Sequence, residues 1–213
     1  MFGMNVRSEY KGFGVTLRPF SKADLPVLVE HFNSMKVHMY TMGLFANTLE
    51  NEEDWYEKVG KDLTSCSWAI VPDESKVPVG ITGLRDIDIY GSCVSGIVIW
   101  DPTWWGKGVA TRSHLARTLF AADYLNRNTI KSSARVVNKG SVNALLRLGY
   151  YKIGVEPRTA YRAGKYLDTQ MFCWINPERV NVLFPEGLPK EYKDCVKKAR
   201  VALDKARKVV TFA

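Results

Sequence analysis

The sequence predicts a mixed α/β fold, and three observations carry that prediction. Strand-length apolar runs alternate with stretches of helical periodicity from about residue 15 onward. In mid-chain the strand-like run Val94-Ser95-Gly96-Ile97-Val98-Ile99-Trp100 leads into Trp104-Trp105-Gly106-Lys107-Gly108-Val109-Ala110-Thr111. Leu115, Ala116, Leu119, Phe120 and Ala122 then recur at helical spacing. Finally, Tyr150 to Tyr161 and Tyr166 to Trp174 read as a closing hairpin around Ala163-Gly164.

The elements follow in order. Residues 15–18 form a short strand. Leu25, Leu28, Val29 and Phe32 make a helical stripe with Ser21 or Asp24 as N-cap, and Pro26 favours the later start. A second helix runs from Asn51 to about Leu63, with Glu52, Glu53 and Asp54 in its first turn. Trp68 to Val71, Val79 to Ile87 and Val94 to Trp100 are strands, the last two joined by Tyr90-Gly91-Ser92. The helix after the glycines runs to about Asn126. Ile130 to Val137 is a strand, and Ser141 to Leu148 is a short helix ended by Gly149. Pro177, Pro185 and Pro189 mark the one boundary, so residues 1–176 form the main domain and 177–213 an extension.

A chain of 213 residues with 46% apolar content buries one substantial core. No run of 18 uncharged apolar residues exists, so no membrane span is expected. Residues 1–7 lack an apolar signal core, and a cytoplasmic protein is expected. Cys66, Cys93, Cys173 and Cys195 show no C-x-x-C pairing, and His31, His38 and His114 show no ligand spacing. Buried thiols and no metal are expected. Residues 179–213 hold nine Lys and Arg against four Asp and Glu, a net +5 of the chain's +8. Tyr192, Cys195, Val196, Ala199, Leu203, Ala206 and Val210 recur there at helical spacing. The pattern predicts an amphipathic helix over 188–210 that packs on the main domain or on a second subunit of a homodimer, rather than on nucleic acid.

The glycine turn carries the chemistry. Gly106 and Gly108 let the backbone approach a ligand, and the following helix adds free N–H groups and the positive end of its dipole. Strand, turn and helix together make an anion site, although the same residues also suit an ordinary tight turn. G-x-x-x-x-G-K-[ST] is absent, and Thr111 occupies the third glycine position of G-x-G-x-x-G.

Trp105-Gly106-Lys107-Gly108-Val109-Ala110 resembles the Q/R-x-x-G-x-G/A pyrophosphate loop of the GNAT superfamily of N-acetyltransferases, with Trp105 in place of Gln or Arg. Asn138-Lys139-Gly140-Ser141 with Leu148-Gly149-Tyr150 resembles the family's N-x-x-S…L-G-[FY] segment. Gly164 to Thr169 and Val15 to Phe20 resemble the closing hairpin and opening strand of the branch that acetylates ribosomal-protein N-termini. The resemblance covers roughly residues 15–176. It implies a central, mixed, mostly antiparallel sheet, splayed in the middle and flanked by helices.

It also implies acetyl-CoA in the splay. The pantetheine arm would pair with Ile97, Val98 and Ile99. The pyrophosphate would sit on the N–H groups of Trp105, Gly106, Lys107, Gly108, Val109 and Ala110, with Thr111 beginning the helix and the Lys107 and Arg112 side chains adding charge. Asn138 would bond the cofactor near its sulfur. The implied chemistry is direct attack of a neutral amine on the thioester. Leu145 stands where many relatives carry a Tyr acid, which leaves Ser141 as the hydroxyl nearest the sulfur, or as a helix cap. The strand position near Val94 lacks the family's Glu, so Asp86, or Asp88 two residues on, is the candidate base; the alternatives are that both face solvent and that water alone takes the proton, as in many relatives.

Met35, His38, Met39, Tyr40, Met42, Leu44 and Phe45 are expected either to line the acceptor side or to pack on the core. No acidic cluster there favours a polycation. The expected activity is acetylation of a protein or peptide α-amine. The alternatives are a small amine (amino acid, amino sugar or antibiotic) and a non-catalytic acetyl-CoA-binding module.

Overall fold

In the computed structural model all residues except Met42, Leu44 and Ala213 are described. The chain opens with a hairpin, β1 (Val6–Tyr10) and β2 (Phe13–Arg18). Lys11 at φ 55° and Gly12 at φ 70° supply the left-handed pair that a two-residue hairpin turn needs. A 3₁₀ turn, capped by Ser21, leads into α1 (Leu25–Phe32), with Asp24 at its N-cap and Pro26 in its first turn. The Asp24 side chain makes no cap bond to α1; it accepts instead from Ser21 N at 2.8 Å, within the 3₁₀ turn. Asp24 also accepts from Arg18 at 2.7 Å. Burial pushes its carboxyl up, but the bonds from Arg18 and Ser21 outweigh that and hold it below the usual value.

Next come α2 (Met35–His38), α3 (Leu49–Lys61), β3 (Cys66–Pro72), β4 (Gly80–Arg85) and β5 (Ser92–Ile99). Then follow α4 (Val109–Leu119) with a π-turn over Phe120–Tyr124, β6 (Thr129–Arg135) and α5 (Lys139–Arg147). The hairpin of β7 (Tyr151–Arg162) and β8 (Lys165–Ile175) precedes α6 (Val180–Leu183), α7 (Lys193–Val209) and β9 (Val210–Phe212). The strands form one sheet in the order β7-β8-β6-β5-β4-β3-β2-β1-β9. Every neighbour pair is antiparallel except β5 and β6.

Strand alternation sends successive side chains to opposite faces. Trp68 and Ile70 pack with Leu115 and Leu119 of α4 and Leu203 of α7. Ala69, between them, packs with Leu25 and Leu28 of α1. The expected tail helix is present, and its Cys195, Val196, Ala199, Leu203 and Ala206 face is buried. The chain then returns to the sheet, as β9 pairs with β1. β1 and β9 were not expected, because Val6-Arg7-Ser8-Glu9-Tyr10 is mostly polar and β9 is three residues long.

Candidate functional site

The parallel pairing of β5 and β6 is short: Ser92 with Thr129, Cys93 with Ile130 and Val94 with Lys131. The hydroxyls of Ser95 and Ser132 then bridge the strands, donating to Lys131 O and Ser95 O at 3.3 Å each. Beyond them the backbones part. β5 stays paired with β4 as far as Ile99, and β6 with β8 as far as Arg135. The edges facing the gap lose their ladder, which leaves backbone N–H and C=O groups for a ligand wherever no side chain takes them. The gap is a cavity of about 570 Å³, with Ile97, Val98 and Ile99 on one wall and Ser133, Ala134 and Arg135 on the other.

The mouth of the cavity is the glycine turn. Asp101 Oδ1 accepts from Thr103 N at 2.9 Å and fixes the approach. The Trp105 indole donates to Ile99 O at 2.9 Å and folds the turn back onto β5. Gly106 at φ 77° and Gly108 at φ 83° take the left-handed conformation, with Gly108 as N-cap of α4. A second helix start meets the same cavity. Asn138 Oδ1 caps α5 by accepting from Ser141 N at 3.1 Å, and Lys139, Gly140 and Ser141 line the wall. Arg135, Lys139 and Arg147 also line it, while no Asp or Glu does among the described residues. Two helix N-termini and three cations make the cavity a receptor for a polyanion.

Most expected contacts converge there. Ile97, Val98, Ile99, Trp105, Gly106, Gly108, Val109, Ala110, Thr111, Asn138 and Ser141 all line the cavity. Ser141 enters the cap through its backbone N–H, so Asn138 is the cap.

Three expectations need correction. The Lys107 side chain lies over the Trp104 ring at 4.9 Å and does not line the cavity. Arg112 turns away, donating to Phe13 O at 2.9 Å and Tyr10 O at 2.6 Å, and pins α4 to the opening hairpin. Asp86 is remote. β4 ends at Arg85, so the alternation that put Asp86 and Asp88 on one face stops there. Asp86 takes φ 51° and pairs with Arg85 at 2.7 Å. Asp88 accepts from Ser92 N at 2.8 Å and holds the turn. Gly80 is the β4 residue opposite Ile99, which puts Asp86 at the far end of the strand.

Of the residues expected either to line the acceptor side or to pack on the core, Tyr40 lines the cavity. Val37, Tyr40 and Thr41 line the cavity, with the Tyr40 ring edge-on to Trp105 at 6.1 Å. Met35 is exposed, and Met42 and Leu44 lie outside the described residues. The tip of the β7–β8 hairpin reaches the same region, where Arg162 donates to Gly43 O.

Sequence reasoning missed a buried polar cluster behind β5. Arg117, fully buried, donates to Thr82 Oγ1 at 2.6 Å, Gly96 O at 2.7 Å and His114 Nδ1 at 2.7 Å. Ser95 Oγ and Tyr150 OH lie 3.4 Å apart beside it. Burial raises the Tyr150 phenol and lowers the Arg117 guanidinium. Ala110, His114 and Arg117 are spaced i, i+4 and i+7, which puts all three on one helix face. That spacing was the available signal. Among the described residues, no group of three or more His, Cys, Asp or Glu is placed to hold a metal, and no helix is long and apolar enough to cross a membrane.

Residues 15–151 match the family model of the acetyltransferase (GNAT) domain. No curated protein matches the chain. Among solved structures it is similar to a spermidine N-acetyltransferase from Vibrio cholerae in complex with CoA and spermine. That likeness has 22% identity and a TM-score of 0.69, and covers 76% of this chain and 95% of that one. It is also similar to a GNAT-family acetyltransferase from Bacillus anthracis, with 17% identity, a TM-score of 0.66, and coverage of 81% and 98%.

Proposed function

Since this chain belongs to the GNAT family of acetyltransferases, with acetyl-CoA as donor, we propose that the β5–β6 cavity holds acetyl-CoA and delivers its acetyl group to a peptide or protein α-amine. The pyrophosphate lies on the Trp105–Ala110 turn and the pantetheine arm along Ile97, Val98 and Ile99. The thioester reaches the closed end. The supporting observation is that two helix N-termini and the glycine turn converge on a cavity lined by no carboxylate among the described residues. The amine attacks the thioester carbonyl, the tetrahedral oxyanion collapses, and CoA leaves as a thiolate. Ser141 donates a hydrogen bond to the sulfur as its charge grows. Asn138 acts by holding the first turn of α5 in place.

The acceptor follows from the same wall. A polyamine needs carboxylates to replace its hydration, and none lines the cavity among the described residues. The apolar and hydroxyl surface of Val37, Tyr40 and Thr41 suits a peptide end with backbone carbonyls beside its amine. We place the chain in the ribosomal-protein-like branch on the Gly164–Thr169 segment, and in the cytoplasm, where four buried free thiols stay reduced. The experiment is CoA release from acetyl-CoA across peptides with free N-termini, amino acids, amino sugars and spermidine. Peptides with a free α-amine should give the highest kcat/KM, and N-blocked peptides none. Preferred turnover of spermidine or of an amino sugar would overturn the acceptor assignment.

A further inference from the structure

His114 is 1% exposed, lines the cavity, and carries one ring nitrogen without a partner. Its Nδ1 lies 2.7 Å from Arg117 Nη2. A guanidinium only donates, so Nδ1 must accept and the ring proton must sit on Nε2. Burial, and then the Arg117 charge, hold the ring neutral, well below its ordinary titration range. His114 therefore presents an N–H donor, and Nε2 is the atom that lacks an acceptor.

Position along β5 says which ligand atom comes near. Trp105 marks Ile99 at the mouth, and Arg117 marks Gly96 at the closed end. Three residues of strand separate them, about 10 Å. CoA carries its phosphates and its thioester at opposite ends of the pantetheine arm. With the phosphates at the mouth and the two amides of the arm paired to the β5 edge, the thioester carbonyl is the acceptor left for the His114 end. We propose that His114 donates its Nε2–H to that carbonyl oxygen and stabilises the oxyanion formed on it, a role that rests on the cofactor placement above.

Each electron pair has a destination. The amine lone pair forms the C–N bond and the C=O pair moves onto oxygen. Collapse restores C=O and breaks C–S. The proton lost by nitrogen reaches the thiolate by way of Ser141 or water. His114 keeps its proton throughout. The Arg117 cation on Nδ1 strengthens Nε2–H as a donor, and a neutral imidazole suits an electrophile that must not surrender its proton.

The test is infrared difference spectroscopy of acetyl-CoA carrying ¹³C at the carbonyl, bound to wild type, His114→Leu and His114→Gln. Wild type should shift the carbonyl stretch to lower frequency. His114→Leu should return it toward the free value, keep acetyl-CoA affinity within about twofold, and lose on the order of 10²-fold in kcat. His114→Gln, whose amide can accept from Arg117 and donate to the carbonyl, should keep most of the shift. A reading without variants guards against misfolding. The His114 Nε2–H proton resonance should move downfield with acetyl-CoA but not with free CoA, which lacks the carbonyl. Bound acetyl-CoA with an unshifted carbonyl, or a shift retained in His114→Leu, overturns the role of His114. Failure of wild type to bind acetyl-CoA overturns the cofactor placement instead.

Discussion

Leu203→Ala tests whether the basic tail is part of the folded body or a detached arm. Leu203 is 2% exposed on α7 and packs in the same core as Leu115 and Leu119 of α4. Truncating a buried Leu removes the transfer free energy of its methyl groups and leaves a cavity, which together cost about 2–5 kcal/mol. Taking about 3 kcal/mol, and about 2–4 °C per kcal/mol for a domain of this size, the melting temperature should fall by about 6–12 °C. Val201 is a control two residues away. It is 64% exposed, so Val201→Ala should stay within about 0.5 kcal/mol of wild type. Scanning calorimetry of the three proteins reads the difference directly. If Leu203→Ala melts no lower than Val201→Ala, the helix does not dock in solution and a contact of the basic arm with another molecule becomes the better account.

Ser141→Ala should lower kcat by on the order of 10²-fold while leaving acetyl-CoA affinity nearly unchanged, because the sulfur gains charge only as it leaves; affinity lost with kcat preserved would make Ser141 a binding residue. Gly108→Glu should weaken acetyl-CoA binding in calorimetry by placing negative charge at the phosphate site. It also forces a side chain onto φ 83°, with a Cβ 2.6 Å from Arg112 Nη1, so circular dichroism must first show the variant folded. Asp24→Asn should lower stability at neutral pH. The Asp24 carboxyl is held below its usual value, so its contribution is present above the unfolded pKa and lost as pH falls through the folded one. The gap between wild type and Asp24→Asn should therefore close on acidification; a gap that widens would contradict the Arg18 pairing.

Between α1 and β8 the strands and helices that bury apolar periodic faces were legible from sequence, because burial dictates that periodicity; the four-residue α2 was not, and β7, which buries no residue, was legible from its turn and its partner strand. β1 was not. Val6 and Ser8 are both fully buried, yet Arg7, Glu9 and the buried Ser8 mask the alternation. β9 is too short for any period. At the site, the glycine turn and the Asn138 segment were legible because their backbone conformations need Gly at φ 77° and 83° and a capping side chain. Asp86 failed because a strand's end depends on its partners, and two residues of overrun carried the alternation into a turn. The His114–Arg117 pair escaped notice because a buried cation without a carboxylate partner breaks the usual expectation that charges stay at the surface.

The measurement closest to the central claim is a titration of backbone amide resonances with acetyl-CoA. Binding in the splay predicts large, saturable shifts for Gly106, Gly108, Val109 and Ala110 at the mouth, Gly140 and Ser141 on α5, and Ile97 to Ile99 along β5, with Asp86 and its neighbours unmoved. The mouth shifts should shrink with an acetyl-pantetheine fragment that lacks the phosphates, while the β5 shifts persist. Saturable binding that leaves the Gly106–Ala110 amides unmoved would contradict the account.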